Sequence, residues 1–219
     1  MTVTSMNSEL HARYTEALRE LAGMWHPKDG DSKPMLIEVP PAYLDASLKL
    51  MVVGQEAGGW AESVALTEHA ATTLMRVYTD FALGRHQRST PFWQGARKIF
   101  ADLGAASGLD NFLWSNLVKV DVGRRRPPAV VEAAVASLKL LEHELAVAQP
   151  DAVIFFSGPS YDDRLKATFP GASIEELGNG TGRIHGMPFR AVRTYHPNYL
   201  RRARQWTELD KAVALLADA

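Results

Sequence analysis

Residues 50–60, Leu-Met-Val-Val-Gly-Gln-Glu-Ala-Gly-Gly-Trp, join an apolar run to a glycine-rich segment that carries one carboxylate, Glu56. A short apolar run bounded by turn residues is typical of a strand that a parallel sheet buries on both faces. Glycine allows a sharp turn and a close approach of the backbone to a ligand. The stretch therefore predicts a buried strand followed by a loop built around Glu56.

Composition limits what else the chain can be. Its 219 residues, 46% of them hydrophobic and 22% charged, fit one large domain with a sizeable core. The net charge of −1 means that affinity for a polyanion must come from a local basic patch. The chain has no cysteine, which excludes disulfides, cysteine-ligated zinc and cysteine-bound iron–sulfur clusters, and we expect no metal and no cofactor.

The sequence shows no sign of a membrane or secretory segment. Residues 1–21 lack the apolar core of a signal peptide, and no apolar run is long enough to span a bilayer. We therefore expect a cytoplasmic protein without a membrane partner. We also expect a monomer.

Three further segments have the composition of buried strands: NFLWSNLVKV (111–120), DAVIFFSG (151–158) and FRAVRTY (189–195). Apolar residues at helical spacing predict helices over 8–24, 61–83, 92–103 and 127–148. Strands that alternate with helices predict an α/β fold, a three-layer α/β/α sandwich with a central, mainly parallel four-stranded sheet. We place this domain at residues 48–219 and expect residues 1–47 to form a helical extension packed on it.

The ends of these strands carry the polar groups. In a parallel α/β sheet, ligands bind at the carboxyl ends of the strands. The segments at those ends are 54–59, 116–119, 157–160 and 194–202, and two arginine-rich runs, 124–126 and 201–204, lie near them. We expect these segments to converge on one edge of the sheet and to form the functional site.

Four motifs, GQEAG (54–58), PFWQGAR (91–97), SNLVK (115–119) and TYHPNYLRR (194–202), occur in this order. Together they resemble the uracil-DNA glycosylase superfamily, most closely its family-4-like members. The resemblance implies a hydrolase that cleaves the N-glycosidic bond of uracil or a related deaminated base in DNA, in base excision repair. It also implies the superfamily's fold, a uracil-containing single- or double-stranded DNA as partner, and extrusion of the target base.

The resemblance assigns roles to the matching residues. His196 matches the histidine that donates to uracil O2, and Glu56 stands where bacterial-type enzymes carry an aspartate, so both are predicted to be catalytic. The predicted base-binding residues are Gln55, at the position of the family-4 glutamate, Phe92, which matches the stacking aromatic, and Asn116, which matches the reader of the base edge. Bond cleavage builds positive charge on the sugar and negative charge on the base, which a carboxylate and a histidine donor respectively stabilise.

Contacts to DNA are expected around these motifs. Leu200 matches the wedge that fills the space left by the extruded base, and Gly58 stands where bacterial-type enzymes place a tyrosine that excludes the thymine methyl group. The other predicted DNA-binding residues are Arg124, Arg125, Arg126, Ser157, Asn198 and Arg201.

These assignments have alternatives. Glu56 can cap the next helix, while Phe92 and Leu200 can belong to the core. Family-4 members hold a cysteine-ligated iron–sulfur cluster, which this chain cannot bind. The alternative function is therefore a protein of the same fold that binds a nucleobase, a nucleotide or nucleic acid without excision. A general α/β hydrolase is disfavoured because the chain has no Gly-x-Ser-x-Gly motif.

Overall fold

The computed structural model describes residues 1–104 and 111–218. Its α-helices are α1 Val3–Ala22, α2 Pro41–Leu44, α3 Ala70–Phe81, α4 Pro91–Asp102, α5 Ala129–Ser137, α6 Leu140–Ala148, α7 Asp162–Thr168, α8 Pro197–Arg202 and α9 Glu208–Ala217. Its strands are β1 Leu50–Gly54, β2 Leu113–Asn116, β3 Ala152–Phe155, β4 Ser173–Glu176, β5 Gly182–His185 and β6 Arg190–Arg193. The fold is α/β, as the alternating pattern of the sequence predicts.

The strands form one mixed sheet in the order β2-β1-β3-β6-β5-β4. β1 pairs with β3 in parallel, with Leu50 opposite Ala152, and β3 pairs with β6 in parallel, with Ala152 opposite Arg190. β5 and β4 continue the sheet in antiparallel pairing. Every residue of β1 and β3 is buried, which is why these two strands have almost uniformly apolar sequences.

The predicted four-stranded sheet is wrong in strand number, because the sheet has six strands. The two missed strands, β4 and β5, form an antiparallel hairpin in which Ile174 lies opposite Ile184. β4 is largely exposed and contains two glutamates, and β5 contains a glycine, an arginine and a histidine. Ile174 and Ile184 are the only apolar residues of the two strands, so the sequence lacks the apolar periodicity by which strands are predicted.

Three of these predicted helices differ from the structure by more than one residue at an end. The helix predicted over 127–148 is two helices, α5 and α6, separated at Lys139, whose φ of 50° cannot continue a helix. The helix predicted over 61–83 is confined to α3, since Ala61 has a φ of 51° and residues 61–67 make local turns. α1 begins earlier than residue 8, at Val3, because Thr2 and Ser5 form a capping box.

The chain divides into two compact units. The first unit comprises Met1–Pro40, Glu56–Ala82 and Ser115–Ala148, and in it α1 packs on α3 and α6. The second comprises Pro41–Gln55, Leu83–Trp114 and Gln149–Ala219, and in it α9 packs on β6 and on α4, which also packs on α8. The division at residue 47 stays a prediction. No helix among the described residues is long and apolar enough to cross a membrane.

Candidate functional site

His196 lies directly before α8 in the second unit. Its Nδ1 accepts a hydrogen bond from the backbone N–H of Asn198 at 3.1 Å, so the neutral ring carries its proton on Nε2. Burial, with a smaller contribution from the charge of Arg202, lowers the pKa of His196 to about 4. At pH 7 His196 is therefore an uncharged imidazole whose Nε2–H can donate a hydrogen bond.

Phe92, in the first turn of α4, stacks on the His196 ring, with centroids 5.5 Å apart and planes at 29°. The contact is possible because α4 and α8 approach each other closely at Gly95. A Cβ on Gly95 would lie only 2.8 Å from Cγ of Pro197. Phe92 also makes edge-to-face contacts, at centroid distances of 5.0, 6.0 and 5.7 Å, with Trp93, Trp114 and Phe156. The structure thus brings the predicted stacking residue to the predicted histidine donor, within an aromatic cluster.

Gln55 and Ser157 follow β1 and β3, which are neighbours in the sheet. The Nε2 amide of Gln55 donates to the backbone carbonyl of Ser157 at 2.8 Å. Ser157 is fully buried, and its hydroxyl has no hydrogen-bond partner within residues 1–104 and 111–218. The bond from Gln55 therefore links the segments that follow β1 and β3.

The surface of α8 differs from the sequence prediction. Leu200 is fully buried, so the structure gives no support to its role as a wedge. The apolar group that α8 exposes is Tyr199, which is 41% exposed and whose ring packs on that of Tyr195 at a centroid distance of 4.2 Å. The resemblance placed Leu200 by its distance from the histidine along the chain, which does not determine the face of the helix it occupies. The other predicted residues on α8, Asn198 and Arg201, are exposed.

In the first unit, Glu56 is half-buried at the start of the glycine-rich loop. Gly58 is exposed, and a Cβ there would meet no atom within 4 Å. Gly59 has a φ of 83°, and a Cβ there would lie 2.9 Å from Oε1 of Glu62. The path of the loop after Glu56 therefore requires glycine at residue 59.

A buried carboxylate, Asp121, holds this loop in place. Its Oδ2 accepts from the backbone N–H of Gly59 at 2.5 Å and its Oδ1 from that of Arg124 at 2.7 Å. The backbone N–H of Asp121 in turn donates to the hydroxyl of Ser32 at 2.6 Å. Asp121 is not among the predicted site residues; its one signal in the sequence is that it is a lone acid within the otherwise apolar and basic run 117–122.

Asn116 is the last residue of β2 and is buried. Its Nδ2 amide donates to the thioether sulfur of Met35 at 3.1 Å. Met35 is not among the predicted site residues either, because it lies 81 residues from Asn116 along the chain.

A buried polar network supports the chain on both sides of Asn116. The carboxylate of Glu144 accepts hydrogen bonds from the hydroxyls of Ser115 and Tyr14, at 2.7 and 3.0 Å, and forms an ion pair with Lys119. All four residues are buried. Burial lowers the pKa of Lys119 and the charge of Glu144 opposes this, while burial together with Glu144 raises the pKa of Tyr14. The network joins α1 and α6 to the end of β2.

The three consecutive arginines differ in their partners. Arg124 forms an ion pair with Glu62 at 3.0 Å, and Arg126 forms one with Glu132 at 2.7 Å. Arg125 is exposed, and its side chain makes no hydrogen bond or ion pair with the part of the chain that the structure describes. Arg125 is therefore the member of this run with its charge available to a phosphate.

The predicted site residues are divided between the two units. The first unit holds Glu56, Gly58, Asn116, Arg124, Arg125 and Arg126, and the second holds Gln55, Phe92, Ser157, His196, Asn198, Leu200 and Arg201. The structure brings Phe92 together with His196, and Gln55 with Ser157. Within the described ranges there is no cluster of three or more histidine or acidic side chains that could hold a metal ion.

Most of the chain matches the model of a known protein family. The family model of the Uracil DNA glycosylase superfamily covers residues 41–218, and every predicted site residue lies within that range. Ser32 and Met35, which contact Asp121 and Asn116, lie outside it. No curated protein matches the chain.

The lowered pKa of His196 predicts a specific pH dependence of stability. Between about pH 4 and the ordinary histidine value of 6.5, the unfolded chain binds a proton at His196 that the folded protein does not. The free energy of unfolding should therefore fall as the pH is lowered through this range, by about 1–3 kcal/mol relative to a His196→Gln variant. Urea unfolding of both proteins at several pH values measures this difference, and a difference independent of pH would contradict the assignment.

Proposed function

Because the chain belongs to the uracil-DNA glycosylase superfamily, we propose that it hydrolyses the N-glycosidic bond of uracil or a related deaminated base in DNA. The observation that carries this proposal is His196, a neutral imidazole with its proton on Nε2 and its ring against Phe92. In this reaction the bond between the sugar C1′ and the base nitrogen breaks, and its electron pair leaves with the base. A water oxygen then bonds to C1′ and gives up a proton, and the base takes up a proton, which yields an abasic sugar and the free base.

His196 stabilises the departing base. Negative charge spreads to the base oxygens as the bond breaks, and a hydrogen-bond donor fixed in advance stabilises it more than water does. Nε2–H is such a donor, because Nδ1 is already bonded to the Asn198 backbone. A neutral imidazole also keeps its donor role at every pH above its lowered pKa, so it need not be protonated before the reaction begins.

Glu56 acts on the sugar side of the bond. Its carboxylate stabilises the positive charge that develops at C1′, or orients the attacking water and takes its proton. The loop after Glu56 is fixed by the bond between the Gly59 N–H and Asp121. Asp121 is accordingly a positioning residue, which keeps this loop in one conformation.

Asn116 and Phe92 recognise the extruded base. The amide of Asn116 offers one donor and one acceptor, which match two adjacent groups on the edge of a uracil. Phe92 offers an aromatic face for stacking, which offsets part of the energy needed to take a base out of the duplex. Tyr199 is the exposed aromatic group of α8 and can fill the space that the base vacates. Arg125, Asn198 and Arg201 are exposed and can contact phosphates.

One observation favours the alternative, recognition of a base or nucleic acid without excision. The position where family 4 carries a glutamate is Gln55, and its amide is bonded to the carbonyl of Ser157. If Glu56 does not supply the missing carboxylate, the fold retains the means to bind a base but not to cleave its bond.

The replacement of Glu56 by Gln separates these two functions. We expect Glu56→Gln to slow excision of uracil by about 10²–10⁴-fold in a single-turnover assay, because the amide neither stabilises the cation nor accepts a proton. The matched control is Glu68→Gln, the same change at an exposed glutamate of the same unit, which should retain the parent rate.

Full activity of Glu56→Gln on a substrate that the parent cleaves would show that the carboxylate is assigned to the wrong residue. If the folded parent binds the oligonucleotides but releases no uracil, hypoxanthine, xanthine or mismatched thymine, the alternative function is favoured instead.

Arg125→Ala tests the contact with phosphate. Loss of one phosphate contact should weaken binding of a uracil-containing oligonucleotide and reduce the slope of log K against log salt concentration by about 1. The control is Arg19→Ala, which removes an exposed arginine of α1 outside the family match and should leave the slope unchanged. Equal slopes for Arg125→Ala and the parent would exclude Arg125 from the DNA contact.

A further inference from the structure

The segment 32–35, which contains Met35, precedes residues 41–218, the part of the chain that the family model covers. Three backbone bonds hold this segment in the first unit. Met35 N–H donates to the carbonyl of Lys119 at 2.9 Å, Lys33 N–H to that of Trp60 at 2.9 Å, and Ser32 N–H to that of Asp121 at 3.3 Å. The Met35 side chain is fully buried, so its position relative to the end of β2 is well defined.

In the hydrogen bond between Met35 and Asn116, the donor and the acceptor cannot be interchanged. The Asn116 nitrogen donates to the Met35 sulfur at 3.1 Å, and both side chains are buried. A thioether sulfur accepts hydrogen bonds and cannot donate them. A half-turn of the amide would place the carbonyl oxygen against the sulfur, two acceptors facing each other, and would lose the bond. Met35 therefore selects one of the two orientations of the Asn116 amide.

The orientation of this amide decides which pyrimidine it can pair with. The nitrogen keeps a second hydrogen after it has donated to the sulfur, so Asn116 still offers one donor and one acceptor, in a fixed order. Uracil presents an N–H donor at N3 and an acceptor at O4, whereas cytosine presents an acceptor at N3 and an amino donor at C4. An amide held in one orientation pairs with one of these bases. Against the other base it places donor against donor and acceptor against acceptor.

We propose that Met35 is a specificity-determining residue, which holds the Asn116 amide in the orientation that accepts uracil and rejects cytosine. This inference depends on the proposed function, since it assigns Asn116 to the base edge. Met35 acts through Asn116 and is therefore a positioning residue, supplied by a part of the chain outside the family match.

Met35→Leu tests the proposal, because leucine preserves the apolar volume and removes the acceptor. The matched control is Met51→Leu, which makes the same change at a fully buried methionine of β1. Single-turnover rates are measured on oligonucleotides that differ only in carrying uracil or cytosine. The rate on uracil divided by the rate on cytosine should fall by about two- to tenfold in Met35→Leu, the range expected for the loss of one hydrogen bond. The same ratio should be unchanged in Met51→Leu.

A second measurement does not depend on activity. The side-chain amide protons of Asn116, observed by ¹⁵N–¹H NMR, should shift and exchange faster with solvent in Met35→Leu but not in Met51→Leu. An unchanged Asn116 signal overturns the proposal, as does an unchanged ratio of rates where cytosine release is measurable. If the parent releases no uracil, the proposed function fails, and the NMR comparison alone decides whether Met35 orients Asn116.

Discussion

The backbone N–H of Asn198 donates to Nδ1 of His196, and the chemistry proposed for the second unit depends on this hydrogen bond. It places the ring proton on Nε2, while burial keeps the ring uncharged. The bond forms because α8 begins immediately after His196, which gives the histidine the position of an N-cap. The sheet brings the chain to this point, since Thr194 N–H still donates to the carbonyl of Phe155, beyond the last paired residues of β6.

Comparable constraints act in the first unit. Asp121 accepts from backbone N–H groups of two loops and thereby fixes the segment that follows Glu56. The buried network around Glu144 holds the end of β2, and Met35 orients the amide of Asn116. In each case hydrogen bonds from buried neighbours hold a side chain or segment to which we assign a role in catalysis or recognition. Preorganisation of this kind lets hydrogen-bonding groups act without rearrangement during the reaction.

The elements that can be predicted from the sequence are those determined by residues close together along the chain. Buried parallel strands require apolar runs, so β1, β3 and β6 follow from the sequence, and the motifs identify the superfamily. The hairpin β4–β5 has no apolar stripe and escaped detection. Asp121 and Met35 act through contacts 62 and 81 residues away along the chain, which no local pattern encodes. Leu200 is buried and Tyr199 is exposed because of how α8 packs on its neighbours, which the composition of the helix does not determine.

The state of His196 is the central claim, and ¹⁵N NMR of histidine-labelled protein measures it directly. The His196→Gln variant assigns its signals among the seven histidines. We predict a neutral ring at pH 7, with a proton on Nε2 and none on Nδ1, which gains its second proton only near pH 4. Titration near the ordinary value of 6.5, or a proton on Nδ1 at pH 7, would contradict the account.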